Sequence, residues 1–428
     1  MTKIVKKKKG FKHLFQIIGP GFVTGASDDD PSGIGTYAQT GAQFGYTQLW
    51  TAPFSFPFMT IIQEMCGRIG MVTGQGLAGV IRLHYARPVL YTAVLLLFFA
   101  NVINIGADLG AMAASATMLI PSIPNIVWLL VTTFISILLQ IFVPYPSYAR
   151  FLKYMALSLF AYIITAFVVH LKWTTVLHAT FIPTFSFNKE YLMNIVAILG
   201  TTISPYLFFW QANEEVEVEL EENKIEAIGD KPKIKKSDID DMCIDTTVGM
   251  FFSNLVMYFI IITVAATLGA KGIHNIQTAT QAAEALRPIA GNFAFLLFTA
   301  GIVGTGLLAV PVLAGSASYA IAETFNWNEG LSKKFTEAKG FYTIIGIATV
   351  IGFLINFTSI PPFRMLYYTA ILNGVCAPPL MVLIMFISNN KKIMGKYTNR
   401  PISNIGGWMI TVIMTLAAIA MFATFGQT

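Results

Sequence analysis

Gly19-Pro20-Gly21-Phe22-Val23-Thr24-Gly25-Ala26-Ser27-Asp28-Asp29-Asp30-Pro31-Ser32-Gly33-Ile34-Gly35 lies in the first long apolar segment of the chain and sets three adjacent carboxylates inside it. An ionisable residue within a membrane span costs about 2.5–3.5 kcal/mol on insertion scales, so three in a row point to function. Pro31 lacks a backbone donor, and Gly33 and Gly35 loosen the helix. An unwound stretch is expected here, with backbone carbonyls freed to bind a cation. The plainer alternative is a loop between two short segments.

The rest of the chain agrees with a membrane setting. Of 428 residues, 55% are hydrophobic and 12% charged, too few charges to cover a soluble domain of this length. Apolar runs recur at 16–43 (interrupted), 48–66, 89–119, 125–143, 152–170, 191–212, 246–269, 291–322, 341–357, 363–388 and 405–425. Each is long enough to cross a hydrocarbon core of about 30 Å, which predicts eleven crossings in one all-α transmembrane domain, 16–428. Residues 1–15 form a basic arm carrying Lys3, Lys6, Lys7, Lys8, Lys9 and Lys12. With that arm cytoplasmic, all but five of the 28 Lys and Arg (Lys172, Lys189, Lys271, Arg287 and Arg364) fall on the inner side. The positive-inside rule then puts the N-terminus in the cytoplasm and the C-terminus outside a multi-pass protein of the cell (plasma) membrane. The arm and the apolar run after it resemble a signal peptide, but Asp28-Asp29-Asp30-Pro31 is no small-residue cleavage site, so the segment is expected to be retained.

Other features exclude rather than assign. The net charge of +6 reports loop asymmetry and attraction to anionic headgroups, not nucleic-acid binding. Segment 213–245 is expected to be a solvated cytoplasmic charged loop; it contains Glu214, Glu215, Glu217, Glu219, Glu221 and Glu222 with Lys231, Lys233, Lys235 and Lys236. A regulatory metal site there is the lesser reading. Cys66, Cys243 and Cys376 have neither zinc nor disulfide spacing, and His13, His84, His170, His178 and His274 form no ligand cluster. With no catalytic cluster, neither an enzyme nor a cofactor is implied. The expected partners are lipid and a transported solute, with the chain a monomer or weak oligomer.

A second interruption, Gly200-Thr201-Thr202-Ile203-Ser204-Pro205-Tyr206, breaks the sixth apolar run. Paired breaks at corresponding places in two halves mark the binding site of inverted-repeat transporters, because half-helix ends and freed carbonyls face one another there.

At this point the chain resembles the natural resistance-associated macrophage protein (Nramp) family of divalent-metal transporters. The resemblance rests on Gly19-Pro20-Gly21, on Asp30-Pro31-Ser32-Gly33, and on Gly41-Ala42-Gln43-Phe44-Gly45-Tyr46. Gln63, Arg68-Ile69-Gly70-Met71-Val72-Thr73-Gly74 after the second helix, and Ala107-Asp108-Leu109 in the third support it. The match is in good register to about residue 215 and looser to the tenth helix. It implies a leucine-transporter-like fold: two inverted five-helix repeats, about 16–170 and 191–388, plus an extra helix at about 405–425.

The departures bear on the substrate. The family's D-P-G-N is Asp30-Pro31-Ser32-Gly33 here, and its sixth-helix M-P-H is Ser204-Pro205-Tyr206. The aspartate stays, while the asparagine, the thioether and the histidine are lost. A site built from Asp30, the carbonyls of Ser27 and Thr201 and the Ser204 hydroxyl, beside Gly33 and Tyr206, is all-oxygen and suits Mg²⁺ or Mn²⁺. Glycine and serine are also expected to enlarge the cavity, which fits a partly hydrated Mg²⁺. Asp28, Asp29 and Asn373 are candidate accessory residues, whereas Asn101 and Asn104 are read as structural. Asp108 is a candidate for a proton route. Ala111 replaces the glutamate the family usually carries there, and the ninth span has no arginine. Both departures point to weak or no proton coupling. The reading is a secondary transporter of a divalent metal working by alternating access; the alternative is a same-fold transporter of an organic cation or small metabolite.

Overall fold

Proline sets where several helices begin: Pro20, Pro31, Pro88, Pro205 and Pro362 each stand in a first turn, where a missing amide costs nothing. The computed structural model describes residues 19–143 and 157–424, and among these there is no strand. The basic arm 1–15, His13, the beginnings of the predicted first and fifth helices and residues 425–428 lie outside the described residues.

The first rod is broken into α1 (Pro20–Asp28) and α2 (Pro31–Phe44). Then come α3 (Thr51–Thr73), the short α4 (Leu77–His84), α5 (Arg87–Leu119), α6 (Asn125–Phe142) and α7 (Phe160–Val168). After α8 (Trp173–Phe181) the sixth rod is again broken, into α9 (Lys189–Thr202) and α10 (Pro205–Glu221). The chain ends with α11 (Lys236–Thr267), α12 (Ala294–Phe325), α13 (Lys339–Ile355), α14 (Pro362–Asn389) and α15 (Pro401–Thr424). Among the described residues, seven stretches are long and apolar enough to span a bilayer as they stand. The broken first rod, α3, α7 and α13 bring the rods to the eleven expected.

The broken rods are enclosed by the others. α11 runs along α1 and α2, α14 along α9, and α3 and α12 flank α10. Lipid tails are as apolar as side chains, so such helices associate through close packing of small residues. A Cβ at Gly25 of α1 would fall on the backbone of Gly249 in α11, and one at Gly200 of α9 on the Ala370 carbonyl in α14. At the periphery, α15 turns Gly406, Ile410 and Met414 inward and leaves Ile405, Met409, Val412, Leu416 and Ile419 exposed, a stripe suited to lipid. Cys66 and Cys376 are buried free thiols, in keeping with packing, and Cys243 is half-buried.

Two boundaries differ from the sequence reading. The second rod runs on to Thr73, so Arg68-Ile69-Gly70-Met71-Val72-Thr73 are helical rather than a following loop, and Arg68 is held by a hydrogen bond to Asn399. The charged loop expected at 213–245 shrinks to 222–235. Glu214, Glu215, Glu217, Glu219 and Glu221 continue α10, and α11 already begins at Lys236. Glutamate is a good helix former. The carboxylate of Glu217 also has partners inside the protein: Tyr319 donates to it at 2.8 Å, Ser332 at 2.8 Å and the Leu331 amide at 3.1 Å. A run that reads as solvated is therefore largely buried. His178, placed beside a loop by sequence, lies within α8.

Candidate functional site

Asp30 is the residue on which the first break turns. α1 ends at Asp28, Asp29 leaves helical geometry (φ −82°, ψ 47°), and Asp30 is extended (φ −67°, ψ 168°) as the N-cap of α2. Its Oδ1 accepts from the Gly33 amide at 2.6 Å and the Ser32 hydroxyl at 2.8 Å, and its Oδ2 from the Asn104 amide at 2.8 Å. A carboxylate at a helix N-terminus is favoured by the unpaired amides there. Asp30 is 1% exposed.

The second break meets the first. α9 stops at Thr202 and Ser204 is the extended N-cap of α10. The Ser204 hydroxyl donates to the carbonyls of Gly200 and Thr201, each at 2.8 Å, which closes the end of α9. The Tyr206 hydroxyl crosses to α1 and donates to the Ser27 carbonyl at 2.9 Å. About one turn further from the breaks, Thr24 donates to the Gln211 side chain at 2.6 Å. The room left by the missing asparagine side chain is not a larger cavity. A Cβ at Gly33 would stand 3.1 Å from both the Asp28 carbonyl and the Thr201 hydroxyl, so the two broken helices close over this glycine.

The neighbouring carboxylates diverge. The Ser253 hydroxyl of α11 donates to Asp28 Oδ2 at 2.5 Å and approaches Asp29 Oδ1 at 3.3 Å, whereas Asp30 is engaged by α5. Among the described residues no three His, Cys, Asp or Glu side chains come together in metal-ligating geometry. The triplet is thus no preformed carboxylate cage. Asp108, one turn beyond Asn104 on α5, is fully buried, with the Ser32 backbone amide facing its carboxylate. Asn373 is buried in α14 next to Gly374, which packs on Val196 of α9, and no hydrogen bond joins it to Asp30.

Sequence reasoning treated Asn104 as structural and passed over Ser32, Ser253 and Gln211. For Asn104 a signal existed: Asn101, Asn104 and Asp108 follow each other at intervals of three and four, one polar stripe on an apolar helix. Beyond the break, a cavity of about 400 Å³ begins at Gly35 and follows Gln39 and Gln43 along α2, with Glu190, His274 and Arg364 also lining it.

Residues 21–424 match the sequence profile of the family described as natural resistance-associated macrophage protein-like. Over 424 residues the chain is 24% identical to the divalent metal cation transporter MntH of Mesorhizobium japonicum, covering 94% of this chain and 87% of that protein. It is 24% identical over 425 residues to MntH of Listeria innocua, with 97% and 91% covered. The manganese transporter of Eremococcus coleocola, solved with an aromatic bis-isothiourea substituted compound, is similar with a TM-score of 0.76 at 16% identity, covering 99% of this chain and 90% of that one. Mhp1, a nucleobase-cation-symport-1 family transporter, gives 0.55 at 14% identity, with 96% and 93% covered. The fold is therefore the leucine-transporter-like one, two inverted five-helix repeats with the first and sixth helices discontinuous.

Proposed function

Because the chain belongs to the natural resistance-associated macrophage protein family, which consists of divalent-metal transporters rather than enzymes, we propose that it carries a hard divalent cation, Mg²⁺ or Mn²⁺, across the membrane by alternating access. The observation that carries this reading is the buried carboxylate of Asp30 at the meeting point of two broken helices, with Ser204 and Tyr206 standing where the family's motif has a thioether and an imidazole. Carboxylate, carbonyl and hydroxyl groups suit hard ions, whereas thioether selects softer ones.

The cation's ligands are Asp30, the Ser27 and Thr201 carbonyls and the oxygen of Ser204, which donates its proton to α9 and keeps lone pairs for an ion. Gly33 lets α9 come close, and Tyr206 competes with the cation for the Ser27 carbonyl. Asp28 and Asp29 add negative charge. α1 and α10 rock against the remaining helices to expose the site to one side and then the other. The basic arm lies in the cytoplasm. Ala111 and Tyr206 stand where the family relays protons, and movement of the cation is weakly coupled to protons or uncoupled.

The test is uptake of Mg²⁺, Mn²⁺ and Ca²⁺ into liposomes holding the purified protein, with and without a pH gradient, beside Asp30→Ala. Influx of Mg²⁺ or Mn²⁺ that the substitution abolishes and the gradient leaves unchanged is expected. No flux of any of the three ions overturns the reading in favour of an organic substrate.

A further inference from the structure

Around the first break and along α5, three buried oxygens accept nothing, Asp28 Oδ1, Asn101 Oδ1 and Asn104 Oδ1, and the carboxylate of Asp108 is met by the Ser32 backbone amide alone. All four side chains are at most 1% exposed. Buried polar groups in native proteins are paired as a rule, and a cluster left unpaired calls for an explanation. The three oxygens of Asp28, Asn101 and Asn104 are all acceptors. Among the described residues no Lys or Arg forms an ion pair with Asp28, Asp29, Asp30 or Asp108. What such a wall lacks is positive charge and hydrogen-bond donors at once, and water bound to a divalent cation supplies both.

The geometry fixes which residues take part. Asn104 uses its amide nitrogen on Asp30 Oδ2, so its free carbonyl oxygen sits at the edge of the Asp30 carboxylate. Asp108 lies one turn on along the same face of α5, opposite the Ser32 amide that follows Asp30 and Pro31. Asn101 is held away by its bond to the Leu313 carbonyl.

We propose that Asn104 and Asp108 are specificity-determining residues that bind the cation's retained water, accepting hydrogen bonds from it while Asp30 ligates the ion directly. This rests on the reading of Asp30 as the cation's ligand. Mg²⁺ gives up water reluctantly and needs a site that can hold its hydrated face; an ion that sheds water readily needs one less. The α5 wall therefore favours Mg²⁺ over Mn²⁺ without touching either ion. It also accounts for the absence of a three-carboxylate cage, since most of the coordination sphere is left to water.

The experiment measures Mg²⁺ and Mn²⁺ uptake in proteoliposomes of the full chain for the wild type, Asp108→Asn, Asn104→Leu and Asp30→Ala. Asp108→Asn is nearly isosteric and keeps the test open should the leucine variant fold poorly. Both α5 variants are expected to raise the apparent KM for Mg²⁺ about tenfold and that for Mn²⁺ much less, so that the ratio of the Mg²⁺ KM to the Mn²⁺ KM rises. An unchanged ratio in Asp108→Asn, combined with an altered response to a pH gradient, overturns the proposal and makes Asp108 a proton carrier. Asp30→Ala separates the two levels: if it transports normally, the reading of the site itself fails, and if it is silent while the α5 variants keep their selectivity, only the present inference does.

Discussion

The hydroxyl of Tyr206 donates to the carbonyl of Ser27 at 2.9 Å, tying the first turn of α10 to the last turn of α1. The bond links the two broken helices, and on the proposed reading it occupies a carbonyl that the cation needs. Tyr206→Phe removes a net contribution of about 0.5–1.5 kcal/mol. The freed carbonyl is expected to lower the apparent KM for Mg²⁺ severalfold while turnover slows, both read from initial uptake rates. A raised KM would mean that the phenolic oxygen itself touches the cation.

Asp30 has two duties that substitutions can separate. As an N-cap it accepts from the Gly33 amide, and on the proposed reading it ligates the cation as a buried anion. Asparagine caps helices as well as aspartate does, whereas alanine costs about 1 kcal/mol at such a position. Asp30→Asn is therefore expected to keep the thermal stability of the wild type and lose transport by at least about a hundredfold, a loss of charge-assisted binding. Asp30→Ala loses both. Transport retained in Asp30→Asn would reduce the residue to a helix cap.

At its other end α1 is held by one carboxylate: Asp245 of α11 accepts from the amides of Gly19, Gly21 and Phe22 at 3.0, 2.7 and 3.2 Å. These are among the amides a helix start leaves unpaired, and hydrogen bonds to a charged acceptor are worth about 1.5–3 kcal/mol each before water replaces them. Asp245, Gly249 and Ser253 recur every fourth residue along α11, so one face of that helix grips α1 from start to finish. Asp245→Ala is expected to speed hydrogen exchange at Gly21 and Phe22 by about ten- to a hundredfold while leaving α5 unaffected. Equal protection in both proteins would show that the glycine packing alone holds α1.

These clasps also mark where the sequence stops being readable. The eleven rods follow from apolar length, and the two breaks from Asp-Asp-Asp-Pro and Ser-Pro in otherwise apolar runs, because those signals are local. What holds the breaks together is not: Asn104 lies 74 residues from Asp30, Ser253 lies 225 from Asp28, and Tyr206 lies 179 from Ser27. The glutamates after Ala212 misled for the same reason. Their composition is that of a solvated loop, and only the return of Tyr319 and the 331–332 turn to Glu217 explains their burial. Gly33 misled differently, since a smaller side chain lets a neighbour approach as readily as it opens space.

That buried acidic end carries the last prediction. Glu329, in the turn after α12, is 3% exposed. Burial pushes its carboxyl well above the ordinary 4.5, and the carboxylates of Glu323 and Glu217 push it the same way, against the weaker pull of Lys333 and Arg82. An acid whose pKa is raised by folding keeps a proton that the unfolded chain gives up. Its contribution is fully present below pH 4.5 and declines as pH rises from there towards the raised value, by about 1.4 kcal/mol per pH unit within that window. The unfolding midpoint of the detergent-solubilised protein is therefore expected to fall between pH 5 and pH 8 more steeply than that of Glu329→Gln, which cannot ionise. Glutamine is also expected to stabilise the protein at neutral pH. Parallel slopes would instead mean that Glu329 is ionised in the folded protein, balanced by Arg82 and Lys333.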